Sequence, residues 1–527
     1  MKKRTTYREN ERPAAIRMLM AILVFFSVMA LFCGAAFANN LEISSGNIVA
    51  LDTGADTATV QFNISWQNSW RDFDNYDAVW VFIKYSLDGT TWSHATLYAS
   101  GTNPSGTSVG TGTALEIIVP ADRKGCFIQR SWTGTGDVST SNVNIVWGYG
   151  LDGISDAWVE NIDIRIIGIE MVYVPQGSFF AGDYQTSTAA FDQGSAVAET
   201  DPWYISGEAA VVVQDVSENG FYYNSAGNPG ESTTGSSFMI TDSFPKGYGA
   251  FYAMKYEITE EQWVDFFNTL GEDAKMNRDI TGASGKNSDS EVYRNTIGWT
   301  EGDAGTERPE RACGFLSWMD ICAYADWAAL RPMSELEFEK AARGKDVTPT
   351  VGAYPWGNTA ITAASVISGT EDGTETVTNS GANCAYMDVT YSGGDGGSGP
   401  LRAGIFATVS SGRQKAGAGY YGCMELSGNL WERCVTVGNN SGRAFQGTHG
   451  DGALESASGY EGNATNTDWP GYNDGEGVSD AAGSGMRGGS WAETVTGRMA
   501  TSDRARAALT SATRDADTGG RCVRTAS

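Results

Sequence analysis

Only one stretch of this chain, residues 259–344, carries both the apolar spacing and the end signals of α-helices, so the rest is left to strands and loops. Thr259 with Gln262 makes a capping-box pair ahead of Trp263, Phe266, Phe267 and Leu270, an i, i+3, i+4, i+7 stripe closed by Gly271. Ser317 with Asp320 opens a second helix through Tyr324 and Trp327. Ser334 with Glu337 opens a third, ending at Ala341, Ala342 and Gly344. Beyond Gly352 isolated aromatic strands alternate with loops, and the 66 glycines of the chain cluster in such polar stretches. The expected class is α+β and loop-rich, not a helical bundle.

A length of 527 residues predicts two or three domains. In the first, Val60, Phe62, Ile64 and Trp66 alternate with Gln61, Asn63 and Ser65, the period of a half-buried strand. Further strands are expected at 78–85, 115–119, 142–148 and 159–167, with Asp88-Gly89 as a turn. Together they predict an N-terminal β-sandwich domain over residues 39–168, with Trp66, Trp70, Trp80 and Trp92 in its core. At Ile169 the pattern changes and a second domain, 169–527, begins. Its polar, Gly/Ser-rich residues 182–237 read as a surface insertion.

Six basic residues precede an apolar run from Met18 to about Ala38 that ends Ala36-Phe37-Ala38, which predicts a secretory signal peptide over 1–38. An uncleaved anchor is the alternative, since the run nears the ~20 residues that span a bilayer. Cleavage would give an exported protein, periplasmic, cell-surface or secreted, with no membrane insertion afterwards. It removes six basic and two acidic residues and moves the formal charge from -27 to -31. So acidic a chain disfavours nucleic acid and anionic lipid as partners. It suits divalent cations, neutral or basic ligands, or no particular partner.

Seven cysteines remain after residue 38, an odd number, and the chain has two histidines, His94 and His449. Two histidines argue against zinc sites, non-haem iron triads and Ser-His-Asp catalysis.

Seven motifs follow one another: MVYVPQGSF at 171–179, FYAMKYEITEEQW at 251–263, LSWMDICAYADWAALRPMSELEFEKAARG at 316–344, YPWGN at 354–358, YYGCMELSGNLWE at 420–432, RGGSW at 487–491 and GGRCVR at 519–524. In kind and order they resemble the formylglycine-generating (sulfatase-modifying factor) family over about 360 residues. That resemblance implies a C-type-lectin-like fold, two structural calcium sites, and a protein-cysteine oxidase activity that relies on two copper-binding cysteines. On it, Asn429 with Glu432, aimed by the Ser427-Gly428 turn, would form one calcium site, and Asn383 with Asp395 the other. Carboxylates and amides are the oxygen ligands calcium prefers. Loop hydrogen bonding is the alternative role for all four. The resemblance also makes Cys522 a disulfide position whose usual partner falls at Ala325. Cys322, one helical turn earlier, is a substitute, and free buried thiols are the alternative.

Counted from RGGSW, the positions matching the family's catalytic cysteines are Glu493 and Arg498, and no cysteine lies anywhere in 435–521. Copper(I) selects thiolates, so no copper is expected and no catalytic residue is assigned. A pocket that has lost its metal still binds. The expected binding surface lies in 491–521 and uses Trp491, Ala492, Glu493, Thr494, Thr496, Arg498, Thr501, Ser502, Asp503, Arg504 and Arg506. The chain is also similar here to variable proteins of diversity-generating retroelements, which place diversified, ligand-contacting positions in such a segment. The competing view makes this an ordinary surface, with Arg487, Arg504 and Arg521 as structural ion-pair partners.

The sequence therefore leads to an exported, non-catalytic protein that binds an extracellular protein or glycan ligand. The alternatives are a formylglycine-generating oxidase acting on sulfatase cysteine and a structural component of an envelope complex.

Overall fold

The computed structural model describes residues 41–526, apart from 160–161, 185–186, 188, 194–200, 214–220, 224–236 and 409. The expected signal peptide and much of the 182–237 excursion lie outside the described residues. Strands β1 (Glu42–Asp52), β2 (Thr57–Arg71), β3 (Tyr76–Ser86), β4 (Leu115–Val119), β5 (Cys126–Arg130) and β6 (Gly134–Trp147) build the first part. β2 pairs antiparallel with both β1 and β6. Its alternation is as the sequence implies: Val60, Phe62, Ile64 and Trp66 are buried and the residues between them less so. They pack with Val79, Val81 and Ile83 of β3, Ile117 of β4 and Ile128 of β5.

The expected boundary at 168–169 falls inside β7 (Asp163–Val174). This strand pairs with β3 from Asp163↔Ser86 to Tyr173↔Tyr76, while Met171–Val174 also pair with β8 (Phe251–Met254) on its other edge. One 13-stranded sheet therefore runs through both parts of the chain. β3 is apolar on both faces because each face has a core to meet. Val79, Val81 and Ile83 face the first core, whereas Ala78, Trp80 and Phe82 belong to a second, larger one.

That second core is organised by helices α1 (Glu260–Phe267), α2 (Glu272–Arg278), α3 (Trp318–Trp327) and α4 (Glu335–Arg343). All three expected capping boxes are present, at Thr259/Gln262, Ser317/Asp320 and Ser334/Glu337. The short α2 is additional, and Gly271, expected only to end a helix, is its N-cap. Trp80 locks the two parts together by donating from Nε1 to Ala328 O at 2.9 Å, and Phe82 packs edge-on against Trp327.

Within the excursion, Phe191, Trp203 and Ile205 are buried in the larger core. The described part of 182–237 is thus anchored in the fold by these apolar residues, while Tyr204 and Val212 remain exposed as an insertion at the surface implies. Strand pair Phe179–Ala181 and Trp203–Ile205 holds it there. Of the four tryptophans assigned to the first core, Trp66 is in it, Trp80 faces the second core, and Trp70 and Trp92 are half-buried. Among the described residues no helix is long and apolar enough to cross a membrane.

Candidate functional site

Strand β9 (Trp431–Val435) gathers the chain's closing motifs. It pairs antiparallel with β10 (Ser484–Arg487) and parallel with Thr518–Gly519, immediately before β11 (Cys522–Thr525). The turn ahead of β9 needs its glycine: Gly428 has φ 74°, and a Cβ there would sit 2.3 Å from Ala385 O and 2.4 Å from Cys384 Sγ. Asn429, also left-handed at φ 61°, accepts the Trp491 N–H on its backbone oxygen at 2.8 Å. Asp388 N and Met387 N then donate to Trp491 O and Glu493 O at 2.8 and 2.9 Å. The segment after RGGSW is thereby laid across a rigid turn, with the Tyr293 ring 5.5 Å from that of Trp491.

The two expected calcium pairs are differently engaged. Glu432 accepts from Arg521 Nε and Nη2 at 2.7 and 2.6 Å, with neither side chain exposed. Asn429 Oδ1 accepts from Leu401 N at 2.8 Å, and its amide donates to Glu257 Oε2 at 2.5 Å. Burial, reinforced by Glu432, pushes the Glu257 carboxyl well above the usual range. At the second pair, Asp395 accepts from Arg308 Nε and Nη2 at 2.6 and 2.8 Å and from Arg311 at 2.8 Å. These hydrogen bonds, Arg308's first, hold its carboxyl at about 2 despite partial burial. Asn383 Oδ1 accepts from Thr362 N at 2.9 Å and its amide donates to Ala360 O and Gln414 O. As arranged, each of the four side chains accepts at least one hydrogen bond from a protein N–H. Guanidinium groups lie against both carboxylates, and among the described residues no group of three or more His, Cys, Asp and Glu is positioned to hold a metal.

The expected binding residues divide into two sets. Thr501, Ser502, Asp503 and Arg504 are buried, so they do not form a surface. Arg504 donates from Nε and Nη2 to Glu335 at 2.7 and 3.0 Å, and Arg487 bridges Glu335 and Glu339 at 3.0 and 2.6 Å. Burial opposes the ionised form of Glu335, but Arg504 and Arg487 hold its carboxyl below the ordinary range. Ser502 Oγ accepts from Arg343 at 2.6 Å, Thr501 O from Arg487 at 2.7 Å, and Asp503 from Arg498 at 3.3 Å. The sequence marked Arg487, Arg504 and Arg521 as ion-pair candidates, and that is the role they have here. Glu335 and Glu339, the partners of Arg487 and Arg504, are not among the residues the sequence singles out, although an i, i+4 acid pair on a buried helix face is a usable signal.

Trp491 is buried under Tyr293, while the following residues turn outward. Ala492, Glu493, Arg498 and Arg506 are half-buried, and Thr494 and Thr496 are exposed. Glu493 Oε1 caps the turn by accepting from Thr494 N and Val495 N, both at 3.1 Å. Three large apolar groups stand out around it: Val495 at 54%, Tyr293 at 55% and Met387 at 45% exposure. Tyr293 and Met387 come from distant loops and carried no sequence signal.

All seven cysteines of the described chain are free and buried, Cys322 and Cys522 included, so the expected disulfide between these two is absent. Both thiols are embedded in the apolar core. Burial raises all seven thiols, Cys126 and Cys423 to about 12, which disfavours the thiolate that binds copper.

This architecture, with capped helices, a glycine-bound turn and a closing arginine strand, defines a domain class. Residues 229–526 match the FGE-sulfatase family, the sulfatase-modifying factor enzyme 1-like domain, and the chain belongs to that family. It is similar to the formylglycine-generating enzyme of Thermomonospora curvata, 31% identical over 138 residues. The match covers 25% of this chain and 36% of that protein, little more than a third of the relative's length.

Proposed function

We propose that this chain is a non-catalytic, exported recognition protein of the FGE-sulfatase family, with a C-type-lectin-like second part buttressed by an N-terminal β-sandwich. The recognition surface is the turn Ala492–Arg498 with Arg506, flanked by Tyr293 and Met387, and its ligand is an extracellular protein or glycan. One observation carries the reading. Glu493 and Arg498, which the family resemblance puts at the positions of its catalytic cysteines, are tied into the turn and to Asp503, and every thiol of the described chain is buried and raised. A mixed apolar and polar rim on a rigid base loses little conformational entropy on binding.

In the same account arginines take the place of calcium: Arg521 at Glu432, and Arg308 with Arg311 at Asp395. The test of recognition is an array of extracellular glycans and peptides probed with the parent chain and with a Thr494→Arg, Thr496→Arg variant. A ligand bound by the parent and lost by the variant supports the reading. Ligands bound equally by both would contradict it.

The oxidase reading draws on the name of the Thermomonospora protein. A burst of oxygen uptake with a cysteine-containing sulfatase peptide and copper would favour it.

A further inference from the structure

A cavity of about 280 Å³ lies where the two parts of the chain meet, and shares no residue with the turn 492–498. β1 and β7 form one wall, α1 and the Pro309-Glu310 loop another, and Tyr324 and Trp327 of α3 its apolar floor. Five carboxylates line it, those of Glu42, Glu170, Glu261, Asp265 and Glu310, and no lysine or arginine does. Glu170 and Glu310 are only 4% and 9% exposed, and each keeps its Oε1 buried without a hydrogen-bond partner. The other Glu170 oxygen accepts from Lys255 Nζ at 2.8 Å. Glu261 and Asp265 stand four residues apart on one face of α1, where like charges repel. Burial pushes Asp265 and Glu310 up to about 7 against the opposing pull of Arg165 and Arg402, so a bound cation would favour their ionised forms.

The carboxylates are spread around the walls instead of converging, and among the described residues none of the acidic clusters is arranged for a metal. Spread anions over an aromatic and aliphatic floor match a cation with an apolar body. We propose that this cavity binds an alkylammonium group, either of a free aliphatic diamine or of a lysine side chain on a peptide.

The test is isothermal titration of the full chain, at low salt, with 1,5-diaminopentane, with Nα-acetyl-lysine amide and with calcium chloride. Saturable 1:1 binding of an amine is expected, weakened about tenfold or more by Glu310→Gln and by Asp265→Asn, with calcium failing to compete. Which amine binds more tightly separates the free diamine from the peptide source. Both variants remove repulsion, so their melting temperatures without ligand should equal or exceed the parent's, which a merely structural carboxylate would not allow. No saturable heat from either amine up to about 1 mM, affinity unchanged in both variants, or displacement by calcium would each overturn the proposal.

Discussion

Arg521 covers both carboxylate oxygens of Glu432, at 2.7 and 2.6 Å, in a pair with no exposure to solvent. The same guanidinium donates to the backbone oxygens of Met254, Lys255 and Met424. One side chain near the C-terminus thus ties β9 to β8 and to the loop before β9.

Removing either member of that pair leaves a buried charge without its partner, which costs ~3–5 kcal/mol. Arg521→Met is therefore expected to lower stability to urea by about that amount. If arginines replace calcium, a chelator leaves the melting temperature of the parent within about 1 °C, and calcium does not rescue Arg521→Met. A fall of several degrees on chelation would show that calcium belongs to the fold.

The ending divides into scaffold and rim, and the two should respond oppositely to substitution. Arg504→Met takes one of two guanidinium partners from buried Glu335 and leaves it with Arg487, which is expected to cost ~1.5–3 kcal/mol. Thr496→Arg, on the exposed turn, should stay within about 0.5 kcal/mol. Denaturant unfolding of both variants checks the division. If the coding region is diversified as the family resemblance suggests, altered codons should fall on 492–498 and 506 and spare 501–504.

The raised carboxyls set a pH dependence. Between the ordinary carboxylate range and about 7, Asp265 and Glu310 bind protons in the folded chain but not in the unfolded one. Their contribution to stability is therefore present at low pH and lost as pH rises through 7. His94 and His449 act oppositely: burial lowers both well below their ordinary value, so the stability they contribute is lost as pH falls below about 6.5. Comparison with Glu310→Gln isolates the carboxyl. The variant should lose part of the gain in melting temperature that the parent shows from pH 8 to pH 6.5.

Seven buried free thiols predict a simple titration. A chain lacking residues 1–38 should react slowly with a thiol reagent when native and yield seven equivalents in denaturant. Five equivalents would establish a disulfide and restore the bond expected between Cys322 and Cys522.

Much of this was legible in the sequence because the signals were local. Capping boxes at Thr259, Ser317 and Ser334 need only residues three apart, and the alternation of 60–66 needs only neighbours. The continuous sheet was not legible. Asp163–Val174 reads as an apolar strand whichever neighbours it has, and its pairing with β3 and β8 is decided by partners up to 97 (173 − 76) and 83 (254 − 171) residues away in sequence. The partners of the site residues were not legible for a related reason. Glu432 and Asp395 have the chemistry of calcium ligands, but whether a carboxylate meets a metal or a guanidinium depends on which distant arginine the fold delivers. Thr501–Arg504 look polar and therefore superficial, yet their polarity is satisfied internally by Arg343, Arg487 and Glu335.

The most direct test of the central claim is oxygen consumption by the full chain supplied with copper, a reductant and a cysteine-containing sulfatase peptide. With every thiol of the described residues buried and no cysteine between 435 and 521, uptake should remain at the level of copper and peptide alone, and no formylglycine should appear by mass spectrometry. Sustained uptake with one formylglycine formed per cysteine consumed would contradict the account and make the chain an enzyme.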